Sequence, residues 1–433
     1  MSISTALRGI VADTRPLQNS HFRRLWIAQI ITMIGAQLTI VAVPAQIYAD
    51  TGSSAYVGLT GVFGLVPLIV FGLYGGALAD HVDRRLLLSI STIGLIGTSA
   101  LFWLQAALGS TNVWLLLVLF AVQQAFFAIN QPTRSAVLPK LLPAHLLPAA
   151  NSLSMTVFQA GAIAGPLVAG VLIPITGYAW LYLIDTITLF ATLYAVVLLP
   201  RLPVEGAKVG TPGLRSVWEG FAYLRYQPVL LMSFVVDLIA MIFGMPRALF
   251  PEIAHVSFHG PEDGGIAFAL LFAAIPAGAV IGGVFSGWIS RVEAQGMAVM
   301  WCIVVWGLGI TGFGLTVALA GHASGLMLGI GLVCMMVAGA GDMASASMRS
   351  AMLQSAADDN VRGRLQGVFT VVVAGGPRIA DVVHGGAAAM LGTAATTAGG
   401  GALVVVGMVL CGLLVPSFLR FRMARAQPET EPA

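Results

Sequence analysis

Charged side chains are scarce in this sequence: Asp, Glu, Lys and Arg make up 9% of its 433 residues, whereas 58% are hydrophobic. A soluble globular domain carries about 25% charged residues, so a water-soluble fold of this length would lack polar surface. The mean hydropathy is +0.91, and apolar stretches follow one another along the chain. The composition therefore excludes a soluble protein and predicts a multi-pass membrane protein that mostly faces the lipid bilayer.

Several functional signatures are also missing. The cysteines Cys302, Cys334 and Cys411 all lie inside apolar segments, which does not fit a disulfide framework. The sequence contains neither a G-x-x-x-x-G-K-S/T phosphate loop nor an H-E-x-x-H zinc motif. No polar segment is long enough for a receptor domain. The sequence therefore predicts no enzyme, no bound metal or cofactor, and no nucleic-acid partner.

Positive charges predict the topology. A spanning helix needs roughly 20 apolar residues. The longest polar connection, 200–227, is predicted to be a linker between two halves, 24–199 and 228–419. Short tails at 1–23 and 420–433 flank these halves. With these spans, all Lys and Arg residues except Arg247 and Arg378 fall on the same side of the membrane. Positively charged loops and tails stay in the cytoplasm, so both tails are predicted to be cytoplasmic and the protein to lie in the cytoplasmic membrane. The predicted spans are 24–49, 55–79, 86–108, 113–136, 148–175, 178–199, 228–251, 265–290, 296–320, 325–348, 365–391 and 397–419.

An internal repeat relates the two halves. The stretch Arg134–Pro139 resembles Arg349–Gln354, and Gly75–Arg84 aligns without gaps on Gly282–Arg291. A shift of six helices preserves orientation, so the predicted fold is an all-α membrane protein of twelve transmembrane helices in two parallel, pseudo-symmetric six-helix bundles. Such halves, with a substrate site near mid-membrane, are a transporter architecture.

The loop after the second predicted helix carries a recognisable motif. It contains Gly76, Asp80, Arg84 and Arg85, and resembles the cytoplasmic signature loop G-x-L-a-D-r-x-G-R-R of the major facilitator superfamily. Asp83 stands where that motif has its second glycine. The resemblance implies the superfamily's twelve-helix fold and an Asp–Arg latch between the halves. The alternative is an ordinary charged turn.

The fifth predicted helix contains Gly161, Gly165, Pro166 and Gly170. Their spacing resembles the G-x-x-x-G-P-x-x-x-G motif of proton-coupled antiporters in the same superfamily. Small residues allow close helix packing and proline bends a helix, so generic packing is the alternative interpretation.

Further stretches in both halves resemble one branch of that superfamily, the enterobactin exporters and drug-efflux transporters. They are Val41–Tyr48, Ala273–Ala279 and Met352–Gln354 followed by Arg362–Arg364. The resemblance implies an antiporter that uses the proton gradient, with no cofactor, to export a siderophore or another small amphipathic compound. We expect the protein to be a monomer. An uptake transporter of the same fold and a non-transporting receptor are the alternatives.

Ionisable residues inside predicted helices are candidates for proton coupling, because each costs about 2.5–3.5 kcal/mol at mid-bilayer. Arg378, Asp381 and His384 are spaced i, i+3, i+6 and share one side of a helix; a structural ion pair is the alternative. Asp237, Asp342 and Arg247 are further candidates, and Asp185 is predicted to be a hydrogen-bonded structural acid.

Neutral amides in the first half could line a substrate cavity or form hydrogen bonds between helices. The candidates are Gln29, Gln37, Gln123, Gln124 and Asn130. On the opposite face, His255 and His259 would lie one helical turn apart and could bind a metal. A solvated acidic loop is the favoured interpretation, so no metal site is predicted there.

Overall fold

The computed structural model describes residues 13–79, 82–201, 222–262, 264–356 and 359–422, and the regular structure within these ranges is helical. Gly177 adopts φ 74° and ψ 175° and divides the stretch Leu147–Val197 into two helices. With this division the described ranges contain twelve long helices. They are α1 (Ser20–Thr51), α2 (Ser54–Ala79), α3 (Arg84–Ala107), α4 (Val113–Leu141), α5 (147–176), α6 (178–197), α7 (Pro228–Gly244), α8 (Ile266–Val284), α9 (Gln295–Leu319), α10 (Ser324–Ala356), α11 (Asp359–Leu391) and α12 (Thr393–Leu414).

Short polar side chains start several helices. Asn19 accepts hydrogen bonds from the backbone of His21 and Phe22 at the start of α1, and Asn112 caps α4 in the same way. Asp83 accepts from the backbone N–H of Arg85 at 2.8 Å and so caps α3. These caps satisfy N–H groups that a helix leaves without partners at its beginning.

The helices suit a bilayer. Ten helical stretches in the described residues are long and apolar enough to cross a membrane, and Leu147–Val197 has 51 residues, enough for two crossings. Large apolar side chains remain exposed on the helices, for example Met390 at 87% and Leu414 at 78%. In a membrane these side chains face lipid rather than water.

The chain divides into two compact units. The first comprises Met1–Leu214 together with Arg247–Ala273, and the second comprises Arg215–Pro246 together with Ala274–Ala433. The segment after α7 therefore packs with the first six helices. This segment contains a 3-10 turn at Arg247–Leu249, a helical turn at Phe250–Glu252 and a π-helical turn at Ile253–Ser257.

The helix ends differ from the predicted ones in two places that matter for function. The structure ends α7 at Gly244, before Pro246, whereas the sequence predicted a span to 251. It continues α10 to Ala356, past the predicted end at 348. Arg349, which the charge count placed in a loop, is therefore inside a helix and only 6% exposed.

Candidate functional site

A buried ion pair joins α7 to α10 in the second unit. Arg349 Nη1 lies 2.6 Å from Asp237 Oδ2, and the side chains are 6% and 1% exposed. Arg349 Nε also donates to Ser345 Oγ at 3.1 Å, one turn earlier on α10. The predicted candidate Asp237 thus has a cationic partner that the sequence argument missed, although the repeat had pointed to Arg349.

Asp342 belongs to the same cluster. It lies on the face of α10 that carries Ser345 and Arg349, because residues seven apart are two turns apart, and it interacts electrostatically with both Arg349 and Asp237. Its side chain is half-buried. One guanidinium therefore interacts electrostatically with two carboxyl groups, and a single proton on either carboxyl would bring the three groups to a net charge of zero.

The predicted trio on α11 is arranged more loosely. Arg378 Nη1 and Asp381 Oδ2 are 4.0 Å apart, and Asp381 is 3% exposed. His384, 2% exposed, has its Nε2 3.0 Å from the backbone oxygen of Phe243 on α7. The structure brings these residues to one side of α11 but ties His384 to a neighbouring helix.

Asp185 is held by hydroxyl groups from two other helices. Its Oδ2 accepts from Thr39 Oγ1 of α1 at 2.7 Å and from Ser99 Oγ of α3 at 2.9 Å. Its carboxyl is 2% exposed, and Oδ1 has no hydrogen-bond partner within the described ranges. This geometry supports the predicted structural role, because the carboxylate connects three helices of the first unit.

The amides mostly bridge helices. Gln29 Nε2 donates to the backbone oxygen of Ser154 at 3.4 Å, and Arg134 Nη2 donates to Gln29 Oε1 at 3.0 Å. Asn130 Nδ2 donates to Ser91 Oγ at 2.9 Å and Thr92 Oγ1 at 3.2 Å. The packing interpretation is therefore favoured for Gln29 and Asn130.

The remaining amide candidates differ in exposure. Gln37 on α1 and Gln124 on α4 are 7% and 9% exposed, and Gln123 is half-buried. A further buried network links Tyr182 Oη and Gln105 Nε2 to Gln46 Oε1, at 2.9 and 3.1 Å.

The glycines of the antiporter-like motif lie at close helix contacts. A Cβ atom on Gly161 would lie 2.5 Å from Met33 Cγ, and one on Gly165 would lie 2.2 Å from Gln37 Cβ, so both glycines let α5 approach α1. A Cβ on Gly170 would lie 2.3 Å from Ala269 Cβ in the segment that joins the first unit. Pro166 is buried beside Gly165.

The signature loop is described only in part. Asp80 lies outside the described residues, and Gly76 lies in the last turns of α2. Arg85 Nη2 donates to the backbone oxygen of Val197 at 2.6 Å, and Arg84 is half-buried. The departure from the motif at position 83 has a structural reason, because Asp83 caps α3.

The segment after α7 carries the last predicted candidates. Arg247 is half-buried in its 3-10 turn. Ser54 Oγ donates to Glu252 Oε2 at 2.5 Å, and His255 Nε2 lies 3.5 Å from Glu262 Oε1. His259 is exposed. No group of three or more His, Cys, Asp or Glu side chains within the described part of the chain could hold a metal ion.

The sequence of the chain matches one protein family and its members. Residues 25–380 match the family model of the Major Facilitator Superfamily. The chain is 28% identical to the enterobactin exporter EntS of Citrobacter koseri over 417 residues, which cover 95% of each chain. It is 29% identical to the EntS of Escherichia coli O1:K1 over 412 residues, covering 94% of each.

Solved structures show the same fold. A variant of the nucleoside transporter NupG superposes with a TM-score of 0.73 at 12% identity, covering 92% of this chain and 99% of that one. A bacterial homologue of the iron transporter ferroportin in its inward-facing state gives a TM-score of 0.65 at 15% identity, covering 92% and 98%.

Proposed function

Because this chain belongs to the Major Facilitator Superfamily and is a multi-pass membrane transporter, we propose that it exports siderophores or similar amphipathic compounds in exchange for protons. Export would proceed by alternating access across the cytoplasmic membrane, with both termini in the cytoplasm. The proton gradient would be its energy source, and no cofactor would be required.

The relatives support the choice of substrate. The enterobactin exporters resemble this chain along 94–95% of its length and of their own. The helix α5 motif supports export over uptake, because its glycines and Pro166 have the spacing found in antiporters and Gly161 and Gly165 form close contacts with α1.

The observation that carries proton coupling is the cluster of Asp237, Arg349 and Asp342. A buried charge pair is costly to desolvate and strongly destabilised when one partner is lost. Protonation of Asp237 would weaken its hold on Arg349 and free α10 from α7, while Asp342 offers a second carboxyl group on the same face. Such a two-state contact between helices is what coupling requires.

The energy available is sufficient for export. A membrane potential of about 100 mV contributes about 2.3 kcal/mol for each charge that crosses, which corresponds to a concentration ratio of about 50. One proton entering for each neutral molecule leaving would therefore support substantial expulsion.

The test is flux of iron-free enterobactin in proteoliposomes under an imposed pH gradient. We expect the wild-type protein to accumulate enterobactin against its gradient. The loss of proton-driven accumulation in Asp237→Asn, Asp342→Asn and Asp381→Asn then shows how much each carboxyl group contributes to coupling. The matched control is Arg24→Gln, which removes an exposed charge from α1. If the wild-type protein moves enterobactin at the same rate without a proton gradient, coupling is refuted.

Direction and substrate range need separate measurements. In everted vesicles an exporter accumulates its substrate when the lumen is acidified, whereas an uptake transporter releases it. Parallel assays with enterobactin and with cationic drugs would separate a siderophore exporter from a broad drug-efflux transporter.

A further inference from the structure

The helix that carries Asp237 ends where a proline removes a backbone donor. α7 ends at Gly244, and Pro246 follows shortly after it. In a continuing helix the N–H of residue 246 would bond to the carbonyl oxygen of Ile242, but proline has no N–H and disfavours a helical conformation in the residue before it. Because the last carbonyl groups of a helix lack partners within that helix, the end of α7 needs hydrogen-bond donors from elsewhere.

Two aromatic side chains supply such donors. His384 Nε2, on α11, lies 3.0 Å from the backbone oxygen of Phe243, and the ring also interacts with the backbone of Ile242. Trp306 Nε1, on α9, donates to the backbone oxygen of Ala240 at 3.2 Å. Side chains from two other helices of the second unit therefore hold the last turn of α7.

Glycines leave the space that both rings occupy. A Cβ atom on Gly244 would lie 2.2 Å from Trp306 Nε1. A Cβ atom on Gly400 of α12 would lie 2.3 Å from the Phe243 oxygen and 3.4 Å from His384 Cε1. Trp306 and His384 are 3% and 2% exposed. The end of α7 is therefore closely packed against α9, α11 and α12.

The hydrogen bond to Phe243 also defines the proton on the His384 ring. A carbonyl oxygen only accepts hydrogen bonds, so Nε2 carries the proton. In an imidazolium Nδ1 would become a second donor, but Nδ1 is buried and has no hydrogen-bond partner among the described residues. Around the ring, α11 carries Arg378 and Asp381, which face each other at 4.0 Å, and α7 carries Asp237, whereas α9 and α12 carry no acidic or basic residue. The packing therefore favours a neutral ring.

The end of α7 lies close to the coupling site along the same helix. At 3.6 residues per turn, Ala240 follows Asp237 by about one turn and Phe243 follows it by less than two. A rotation or shift of α7 would therefore move the Asp237 carboxyl group away from Arg349, whose Nη1 is 2.6 Å from it. The donors at the end of α7 thus help to set the geometry of the ion pair.

We propose that His384 is a positioning residue of the coupling site. As a neutral donor it holds the end of α7, keeps Asp237 opposite Arg349, and does not itself carry the proton. This inference rests on the proposed proton-driven export and gives one of its candidate residues a different role. Loss of the His384 donor lets α7 shift and weakens the ion pair without changing either of its charges.

The test compares two substitutions of His384 in proteoliposomes. Glutamine takes up no proton but can still donate to the Phe243 oxygen, whereas leucine has no donor. We expect His384→Gln to keep at least about half of the wild-type accumulation of iron-free enterobactin under a pH gradient, and His384→Leu to lose about tenfold. Both should retain exchange of labelled for unlabelled enterobactin. The matched controls are His322→Gln and His322→Leu, at an exposed histidine, and both should behave as the wild type.

Thermal unfolding separates positioning from simple packing. We expect Asp237→Asn to lower the unfolding temperature of the His384→Leu protein by less than half as much as it lowers that of the wild type, because the ion pair is already weakened. A histidine that only filled space would leave the two effects additive, so equal shifts in the two backgrounds count against the proposal.

Nitrogen NMR spectra of protein with isotope-labelled histidine report the ring directly. The signals that disappear in His384→Gln should be those of a neutral ring protonated at Nε2 between about pH 5 and pH 8. An imidazolium in this range, or a loss of accumulation with retained exchange in His384→Gln, would overturn the proposal.

Two further outcomes are assigned in advance. If His384→Leu does not insert into the membrane, His384→Gln decides by the same criterion. If the wild-type protein shows no proton-driven accumulation, the proposed function fails, whereas the unfolding temperatures and the nitrogen spectra still test whether His384 holds α7 as a neutral donor.

Discussion

Replacing Asp237 by asparagine should uncouple transport from protons and destabilise the second unit, because the substitution removes one partner of a buried ion pair. The two charged atoms are 2.6 Å apart and their side chains are 6% and 1% exposed. At an effective dielectric constant of about 20 their attraction is about 6 kcal/mol, much of which offsets the cost of burying them. The expected loss for one missing partner is about 3–5 kcal/mol.

The double variant Asp237→Asn with Arg349→Gln tests the origin of that loss. Since it leaves no uncompensated charge, we expect it to be more stable than Asp237→Asn alone, with a coupling energy of about 2 kcal/mol. At about 2–4 °C for each kcal/mol, the single variant should unfold roughly 6–20 °C below the wild type, and the double variant should recover part of this difference. Thermal unfolding in detergent measures both.

Transport assays distinguish a loss of stability from a loss of proton coupling. We expect both variants to lose accumulation driven by a pH gradient but to retain exchange of labelled for unlabelled enterobactin, which needs binding and conformational change but no net proton movement. The reasoning is refuted if the effects of the two substitutions on stability simply add, or if Asp237→Asn accumulates enterobactin as the wild type does.

Three further outcomes are expected from the packing of the first unit. Gly165→Ala should destabilise the protein by about 1–3 kcal/mol, because its Cβ would collide with α1. Gly97→Ala should be neutral, because within the described part of the chain an added Cβ would meet nothing within 4 Å apart from the backbone of its own helix. Equal unfolding temperatures of the two variants would contradict this. Asp83→Ala should cost about 1 kcal/mol by removing the cap of α3, and Asp83→Asn should restore most of it in the same assay. Thr39→Val should lower stability by about 1.5–3 kcal/mol through the lost hydrogen bond to Asp185 but leave coupling intact; uncoupled flux would instead give Asp185 a part in proton transfer.

Much of the fold follows from hydropathy. The twelve predicted spans correspond to the twelve long helices of the described residues, since a bilayer fixes the length and apolar character of each crossing. The errors lie at helix ends, where the boundary depends on tertiary contacts. Arg349 illustrates this. A cation near the end of an apolar segment is interpreted from sequence as a loop residue, whereas in the structure a partner on another helix stabilises it in a buried position.

The candidate site was harder to predict than the fold. Helical spacing correctly put Arg378, Asp381 and His384 on one side of α11, and Asp185 was correctly interpreted as a hydrogen-bonded acid. The assignment of proton coupling among the buried acids remains a prediction, as does the cytoplasmic location of the two tails. Spacing along one helix does not reveal which neighbouring helix supplies the opposing charge.

The sequence by itself determined that lipid is the solvent, that the helices number twelve, and that an arginine recurs at matching places of an internal repeat. These properties depend on the composition of each segment and on the repeat of residues along the sequence, and both can be read without knowing which helices are in contact. Only the tertiary structure decided that Arg349 meets Asp237 while Arg134 meets Gln29. The energy of a buried charge depends on its distance in space from an opposite charge. Close packing at small residues brings together helices that are far apart in sequence, and sequence patterns alone do not show which helices these are.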